Sequence, residues 1–140
     1  MRRIFDAKYM QKPPIFQPGK DSLQRFYFNH FQGFENIIQK CIEKGDTAKY
    51  IRVYFNFTVD ENGIASDAAF FKVASTQYAQ GEGAKTIKYF FDDKKQIQEQ
   101  LRKMVSALPT WLPGIESGQR VSANVEDYLQ FWVGLQAPPR

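Results

Sequence analysis

The chain has 140 residues, of which 43% are hydrophobic and 24% charged, a balance typical of one soluble globular domain. Lysine and arginine outnumber aspartate and glutamate by 19 to 15, but the two signs are interleaved, so the sequence does not predict a nucleic-acid-binding surface. The single cysteine excludes an intrachain disulfide, and no apolar run is long enough to predict a membrane-spanning helix.

The first 19 residues are predicted to be extended, because Pro13-Pro14 and Pro18-Gly19 interrupt regular structure. The opening MRRIFDAKYM is basic, but the roughly 7–15 apolar residues of a signal peptide do not follow it. We therefore expect either a cytoplasmic protein or a chain that lacks its natural N-terminus.

An amphipathic helix is predicted to begin at Asp21 or Ser22, either of which can cap it. Its apolar stripe consists of Leu23, Phe26, Tyr27, His30, Phe31 and Phe34. A second stripe consists of Ile37, Ile38, Cys41 and Ile42. Because His30 and Cys41 lie on these stripes and would be about 16 Å apart on one straight helix, we interpret both as core residues and not as a catalytic pair.

The clearest strand is YIRVYFNFTVD, whose apolar face consists of Ile51, Val53, Phe55, Phe57 and Val59. A hairpin turn follows at Asp60-Glu61-Asn62-Gly63, where Gly63 can supply a positive φ. The return strand is predicted from Ile64 to about Val73. A calcium loop is a poorer interpretation of this turn, because its glycine is misplaced and no glutamate closes it.

The second half of the chain predicts a loop, a helix and a strand. Residues 74–92 are predicted to be a long loop with a short strand or helical turn near 87–91. A helix capped by Asp92 or Asp93 then ends before Pro109, which lacks the required amide. The last strand is expected at about 120–133, with a bulge or bend near Asp127.

This order predicts an α+β fold with a small three-stranded antiparallel sheet and two or three helices on one face. The expected organisation is an extended segment at 1–19, a single domain at 20–134 and a disordered tail at 135–140.

The stretch MVSALPTWLPGIESG places a large aromatic residue between two prolines where a helix must stop. Pro109 is predicted to end the helix, and Trp111 to fold back over the seam between helix and sheet. Pro113-Gly114 is predicted to turn the chain, and Gly118 to allow a second reversal into the strand.

Three stretches of the chain, in order, resemble the C-terminal domain of TonB-family energy transducers. MVSALPTWLPGIESGQRV has the family's helix, Pro-x-Trp-x-Pro-Gly turn, glycine and strand; VYFNFTVDENGIASD is similar to its first hairpin; and PIFQPGKDSLQRFYFNHF resembles its opening segment and short helix. The residues that carry the resemblance are Asp60, Gly63, Pro109, Trp111, Pro113, Gly114 and Gly118.

The resemblance implies a domain in the periplasm of a Gram-negative bacterium that binds an extended segment of an outer-membrane transporter as an added β-strand. The predicted binding edge is about Val121–Phe131. Its candidate contacts are Val121, Ala123, Val125, Tyr128, Gln130 and Trp132. A proline at Ala123 is expected to abolish binding while the fold survives.

The last three of these contacts share one side of the strand, which is either a partner surface or a dimer interface. We expect no enzymatic activity, cofactor, metal or nucleic-acid partner. The alternative function is a stand-alone scaffold or self-association module, such as a homodimer, because the family's membrane anchor is absent from this sequence and residues 32–49 and 74–92 form longer segments than in typical members.

Overall fold

A computed structural model describes residues 3–33, 35–37, 39, 50–79, 83–89 and 94–132. The fold is α+β. The strands are β1 (Ile4–Asp6), β2 (Tyr50–Val59), β3 (Ala65–Ala79), β4 (Gly83–Tyr89), β5 (Gly114–Glu116) and β6 (Gln119–Trp132). Two helices have defined bounds, α1 (Lys20–His30) and α2 (Lys94–Ser106), a 3-10 helix spans Ala7–Tyr9, and residues 35–37 and 39 are also helical.

The sheet has the strand order β1-β6-β2-β3-β4, and β5 also pairs with β6. β1 is parallel to β6, whereas the other pairings are antiparallel. The predicted α+β class is confirmed, but the sheet is larger than the three strands predicted. β2, β3 and β6 correspond to those three strands, and β1, β4 and β5 extend them.

The segment predicted to be a long loop contains most of a hairpin. β3 continues to Ala79, and β4 pairs with it from Val73↔Tyr89 to Ala79↔Gly83. The glycines of this segment suggested a loop, but glycines between two runs rich in aromatic and β-branched residues are equally a hairpin signal. The prediction of a loop was therefore wrong for residues 74–79 and 83–86, whereas the short strand predicted as one alternative near 87–91 agrees with β4 at residues 87–89.

The core lies between the helices and one face of β2. The alternating side chains Ile51, Val53, Phe55, Phe57 and Val59 are all fully buried. Leu23 and Tyr27 of α1 and Leu101 and Met104 of α2 belong to the same core cluster. The ring of Tyr27 meets that of Phe55 edge-on at 5.2 Å between centroids. Both helices therefore cover the same face of the sheet, and burial of each large side chain contributes about 1.5–3 kcal/mol to folding.

The irregularities of the sheet lie in β3 and not in β6. The β2–β3 register shifts between Tyr54 and Phe55 and again between Asn56 and Thr58. By contrast, the β2–β6 register is unbroken from Tyr50↔Trp132 to Val59↔Ala123. Of the predicted bulge or bend near Asp127, the bulge was thus wrong, because Asp127 pairs with Phe55 within a regular ladder.

In the segment after α2, the predicted helix end and the predicted reversal at Gly118 are confirmed. The helix ends at Ser106, before Pro109, and Trp111 is 5% exposed. Its ring centroid lies 5.4 Å from that of Phe16 and 5.5 Å from that of Phe57. Ser117 and Gly118, with φ of 50° and 77°, form the two-residue β5–β6 turn, as their positive φ values require.

Gly114 differs from its prediction because it begins β5 instead of turning the chain. A Cβ at this position would lie 2.6 Å from Met10 Cε and 3.1 Å from Pro14 Cδ. The glycine is therefore explained by the close approach of the N-terminal segment and not by turn geometry.

His30 also differs from its predicted place in the core. It is the last residue of α1 and is exposed. Its ring stacks on that of Phe26 at 3.8 Å, and Nδ1 lies 2.9 Å from the Phe26 carbonyl oxygen. The helical spacing placed His30 on the apolar stripe, but the helix ends at this residue and Phe31 is already its C-cap. His30 is therefore exposed although its position in the helical repeat predicted burial. Cys41, the cap at Asp92 or Asp93 and the tail at 135–140 lie outside the described residues.

Candidate strand-binding edge

One edge of β6 is only partly occupied by other strands. On the opposite edge of β6, β2 pairs with every residue from Ala123 to Trp132. On β6, β5 pairs with residues 119–121 and β1 pairs with residues 122–124. Beyond this point, no strand of the described chain other than β2 pairs with residues 125–130. Within the predicted binding edge at about Val121–Phe131, the part without a second neighbouring strand therefore begins at residue 125.

Side chains take the place of a neighbouring strand here. Gln24 of α1 donates from Nε2 to the Tyr128 carbonyl oxygen at 2.7 Å, and its Oε1 accepts from the Gln130 amide at 3.3 Å. The Tyr128 amide donates to Oδ1 of Asp127 at 2.8 Å. A single glutamine thus contacts one carbonyl and one amide, two residues apart, in the manner of a paired strand.

These contacts reveal which backbone groups face the edge. The amide and carbonyl of one strand residue point to the same side, and successive residues alternate. Because the groups of Tyr128 and Gln130 face α1, those of Glu126 face the same edge, and those of residues 123, 125, 127 and 129 face β2. A proline at Ala123 would therefore break the ladder inside the sheet at a fully buried position, so we now expect that variant to destabilise the fold.

A cleft of about 720 Å³ lies beside this stretch of β6. It separates residues 125–128 from the N-terminal segment at Pro14, Ile15 and Phe16 and from the first turns of α1. Leu23, Val125 and Trp111 add to its apolar lining. An extended chain laid along the β6 edge would enter this cleft.

A hydrogen-bonded pair, the buried Tyr27 and the half-buried Asp127, borders the cleft. The Tyr27 hydroxyl donates to Oδ2 of Asp127 at 2.6 Å. Burial raises the pKa of Asp127, while the hydrogen bonds donated by Tyr27 and the Tyr128 amide, and the charge of Lys20, act in the opposite direction. Burial also raises the pKa of Tyr27, so its hydroxyl remains protonated and continues to donate.

The predicted contacts Tyr128 and Gln130 lie together on the sheet face away from the helices. Arg52 Nε donates to Oε1 of Gln130 at 2.8 Å, and the Arg52 guanidinium lies 4.3 Å from the centroid of the Tyr128 ring. Lys72 Nζ similarly lies 4.9 Å from the Tyr54 ring centroid. Cationic side chains thus partly cover these rings.

The other predicted contacts are distributed differently. Val121 pairs with Gly114, and Ala123 lies between Phe5 and Val59. Val125 is half-buried beside the cleft. Trp132 pairs through its backbone with Tyr50.

Sequence reasoning missed Gln24, Tyr27 and Asp127 as a group. Gln24 and Tyr27 are three residues apart on one helix and so lie on neighbouring positions of its surface. Gln24 adjoins the predicted apolar stripe, and Asp127 interrupts an otherwise apolar run of odd-numbered residues in β6. These two polar positions, one beside an apolar stripe and one within an apolar run, were the features of the sequence that could have indicated the group.

Residues of the two motif stretches, the hairpin turn at Asp60–Gly63 and the segment around Trp111, meet at the turn between β2 and β3. Asp60 Oδ1 accepts hydrogen bonds from the amides of Asn62 and Ile64 at 2.8 and 3.0 Å. The Gly63 carbonyl accepts from the Trp111 amide at 2.8 Å. The indole Nε1 of Trp111 is buried without a hydrogen-bond partner in the part of the chain that the structure describes.

Comparisons with known proteins leave the family of this chain open: no family model, curated protein or solved structure matches it. Within the described ranges, no group of three or more His, Cys, Asp and Glu side chains is placed to hold a metal ion. Among the same residues, no helix has the length and apolar character needed to cross a membrane.

Proposed function

We propose that this chain is a non-enzymatic peptide-binding domain that accepts an extended segment as an added strand on residues 125–130 of β6. The observation that carries the proposal is the pairing of Gln24 with Tyr128 and Gln130. A side chain occupies backbone groups that a strand would use, and a cleft opens beside them. A side-chain cap can be exchanged for a strand at a small net cost, since one hydrogen bond replaces another.

Strand addition explains why this edge is protected without being closed. Unpaired edges promote aggregation, and proteins commonly cover them. Here β1 covers three residues and Gln24 covers two groups further along. A ligand that pairs with the Glu126, Tyr128 and Gln130 backbone would gain its affinity from main-chain hydrogen bonds and its selectivity from the side chains that enter the cleft.

The resemblance to TonB-family domains supports a more specific ligand. On that ground, the bound segment belongs to an outer-membrane transporter, and the domain acts in the periplasm as part of energy-coupled transport. The hairpin and Pro-x-Trp-x-Pro-Gly residues behind this resemblance are in contact through Gly63 and Trp111. This contact makes the two motif stretches one structural unit.

The test is an NMR titration of isotope-labelled protein with synthetic peptides that copy N-terminal segments of outer-membrane transporters. We expect the largest shifts at the amides of Glu126, Tyr128 and Gln130. Glu126→Pro removes an edge-facing amide without removing a bond to β2, so it should weaken binding by about tenfold or more. Glu126→Ala, which keeps the amide, is the matched control and should retain binding.

Two results would contradict the proposal. One is binding with shifts that map elsewhere on the molecule. The other is equal affinity of the proline and alanine variants, provided that both retain the wild-type circular dichroism spectrum.

The second candidate function is self-association through β4. This strand ends the sheet order, and within the described residues no strand pairs with its outer edge. Two copies that join at this edge would form one continuous sheet. Sedimentation at several concentrations separates the candidates. A tight dimer that ignores every peptide favours self-association, whereas a peptide-binding monomer favours the first proposal.

A further inference from the structure

The charges around the cleft bear on which kind of ligand it would bind. This inference rests on the proposed function. We propose that the β6 edge selects an extended segment that carries a lysine or arginine, whose cationic group lies in the cleft against Asp127.

The cleft has an excess of negative charge. Its charged lining residues are Lys20, Asp21, Glu126 and Asp127, which carry three carboxylates and one ammonium group, and its remaining titratable residue is Tyr128. Glu126 is partly compensated from outside the cleft by Lys8, whose Nζ lies 3.7 Å from its carboxylate. Asp127 forms no ion pair within the described part of the chain, although Lys20 is near enough to act on it electrostatically.

Asp127 is oriented to receive a cation. Its two oxygens accept one hydrogen bond each, from the Tyr27 hydroxyl and the Tyr128 amide. An ionised carboxylate has about four acceptor positions, so two remain. The Tyr27 hydroxyl holds the group beside the β6 edge. An added strand that pairs with the Tyr128 amide would release that donor and leave Asp127 a further acceptor position. A half-buried carboxylate is also screened less by salt than an exposed one.

The opposing charges are weaker. The N-terminus of α1 lines the cleft at Gly19 and contributes roughly half a positive charge. Lys20 adds one ammonium group, but it is exposed and free to move toward solvent. With Lys8 included, these charges fall about half a unit short of three carboxylates, so the field inside the cleft weakly favours a cation over an anion.

The apolar lining of the cleft suits the rest of a basic side chain. Phe16, Leu23 and Val125 present hydrocarbon surface next to the carboxylates. Lysine and arginine bury aliphatic stems along such surfaces while the charged end reaches a polar partner. A short acidic or polar side chain would leave this surface uncovered and face repulsion.

The experiment uses the full chain and a matched set of short blocked peptides of alternating threonine and valine. The central residue is lysine, norleucine or glutamate, so the first two have the same carbon chain and differ in charge. We expect the lysine peptide to bind about tenfold more tightly than the norleucine peptide, and the glutamate peptide to bind most weakly. The preference for lysine should shrink at high ionic strength.

Asp127→Asn should remove the preference for lysine and leave the norleucine affinity nearly unchanged. Asp21→Asn, at the exposed rim, is the matched control and should preserve most of the preference. If the asparagine variant at position 127 does not fold, the comparison of peptides on the wild-type chain still decides the question.

The outcomes separate the two proposals. Equal affinity for the lysine and norleucine peptides, with shifts at the β6 edge, overturns the cationic preference and leaves edge binding intact. If no peptide of either set, including the transporter segments, shifts the edge amides, both proposals are wrong.

Discussion

The backbone amide of Trp111 donates to the carbonyl oxygen of Gly63 at 2.8 Å, and this bond joins the β2–β3 turn to the segment after α2. Gly63 has a φ of 81°, and a Cβ at this position would overlap the Trp111 carbonyl oxygen and lie 2.9 Å from Thr110 Cγ2. The glycine of the hairpin therefore serves both its own turn and a contact 48 positions later in the sequence.

Gly63→Ala should be strongly destabilising, because it combines a strained φ with a backbone clash. We expect a loss of about 3–5 kcal/mol in the free energy of unfolding, measured by urea denaturation. Gly118→Ala is the matched control: its φ is 77°, but a Cβ there meets nothing within 4 Å. It should lose only about 1–2 kcal/mol. Equal losses in the two variants would show that the Trp111 contact adds nothing.

Trp111→Phe should be nearly neutral for stability despite the burial of the residue. The indole N–H has no partner among the described residues, and an unsatisfied buried donor costs about 1–3 kcal/mol. Phenylalanine removes that donor and keeps a ring between Phe16 and Phe57, while its smaller volume partly offsets the gain. We expect a net change within about 1 kcal/mol, against a loss of about 3–5 kcal/mol for Trp111→Ala. Similar large losses in both variants would indicate that the N–H does have a partner.

The parts of this fold that could be predicted from sequence have local causes. The alternation in β2, the turn at Gly63, the end of α2 before Pro109 and the β5–β6 reversal at Gly118 each follow from a short pattern. β1 and β4 did not. β1 has three residues, and its parallel pairing with β6 depends on tertiary contacts that no local pattern encodes.

The candidate site could be predicted only in part. The family resemblance predicted β6 as a candidate binding edge. It did not predict that Gln24 would hydrogen-bond to the backbone of that edge. Gln24 and Tyr128 are 104 residues apart, and their contact depends on how α1 is oriented over the sheet. Likewise, the hydrogen bond between Tyr27 and Asp127 joins residues that are 100 positions apart. Long-range pairing of polar groups leaves little trace in a single sequence.

Gln24→Ala should expose the β6 edge. The Gln130 amide loses its acceptor, so we expect its hydrogen exchange, followed by NMR, to accelerate by roughly five- to tenfold, which corresponds to one modest hydrogen bond. Because a ligand strand no longer has to displace the glutamine, affinity for edge-binding peptides should rise by a similar factor. Arg25→Ala, on the exposed side of the same helix, is the control and should change neither quantity. Unchanged exchange at Gln130 in the Gln24 variant would exclude the capping role.

Tyr27→Phe should raise the pKa of Asp127 above its wild-type value. Burial already raises this pKa, and the Tyr27 hydroxyl opposes that shift by donating to the carboxylate. With the donor gone, the ionised form is less favourable, and we expect a loss of about 1–3 kcal/mol in stability at neutral pH. Carboxyl NMR titration of the folded protein measures the pKa, and Tyr9→Phe, at a side chain that is 81% exposed, is the control.

The same change has a consequence for stability as a function of pH. The folded-state pKa of Asp127 lies above the unfolded value, so the native state binds the proton first as pH falls. This residue therefore adds stability as the pH decreases from the folded-state pKa toward its ordinary value near 3.8. In Tyr27→Phe the upward shift is larger, so the gain should begin at a higher pH, and the deficit relative to wild type should shrink on acidification. A deficit that is constant across this window would show that the Tyr27 hydroxyl does not stabilise the carboxylate.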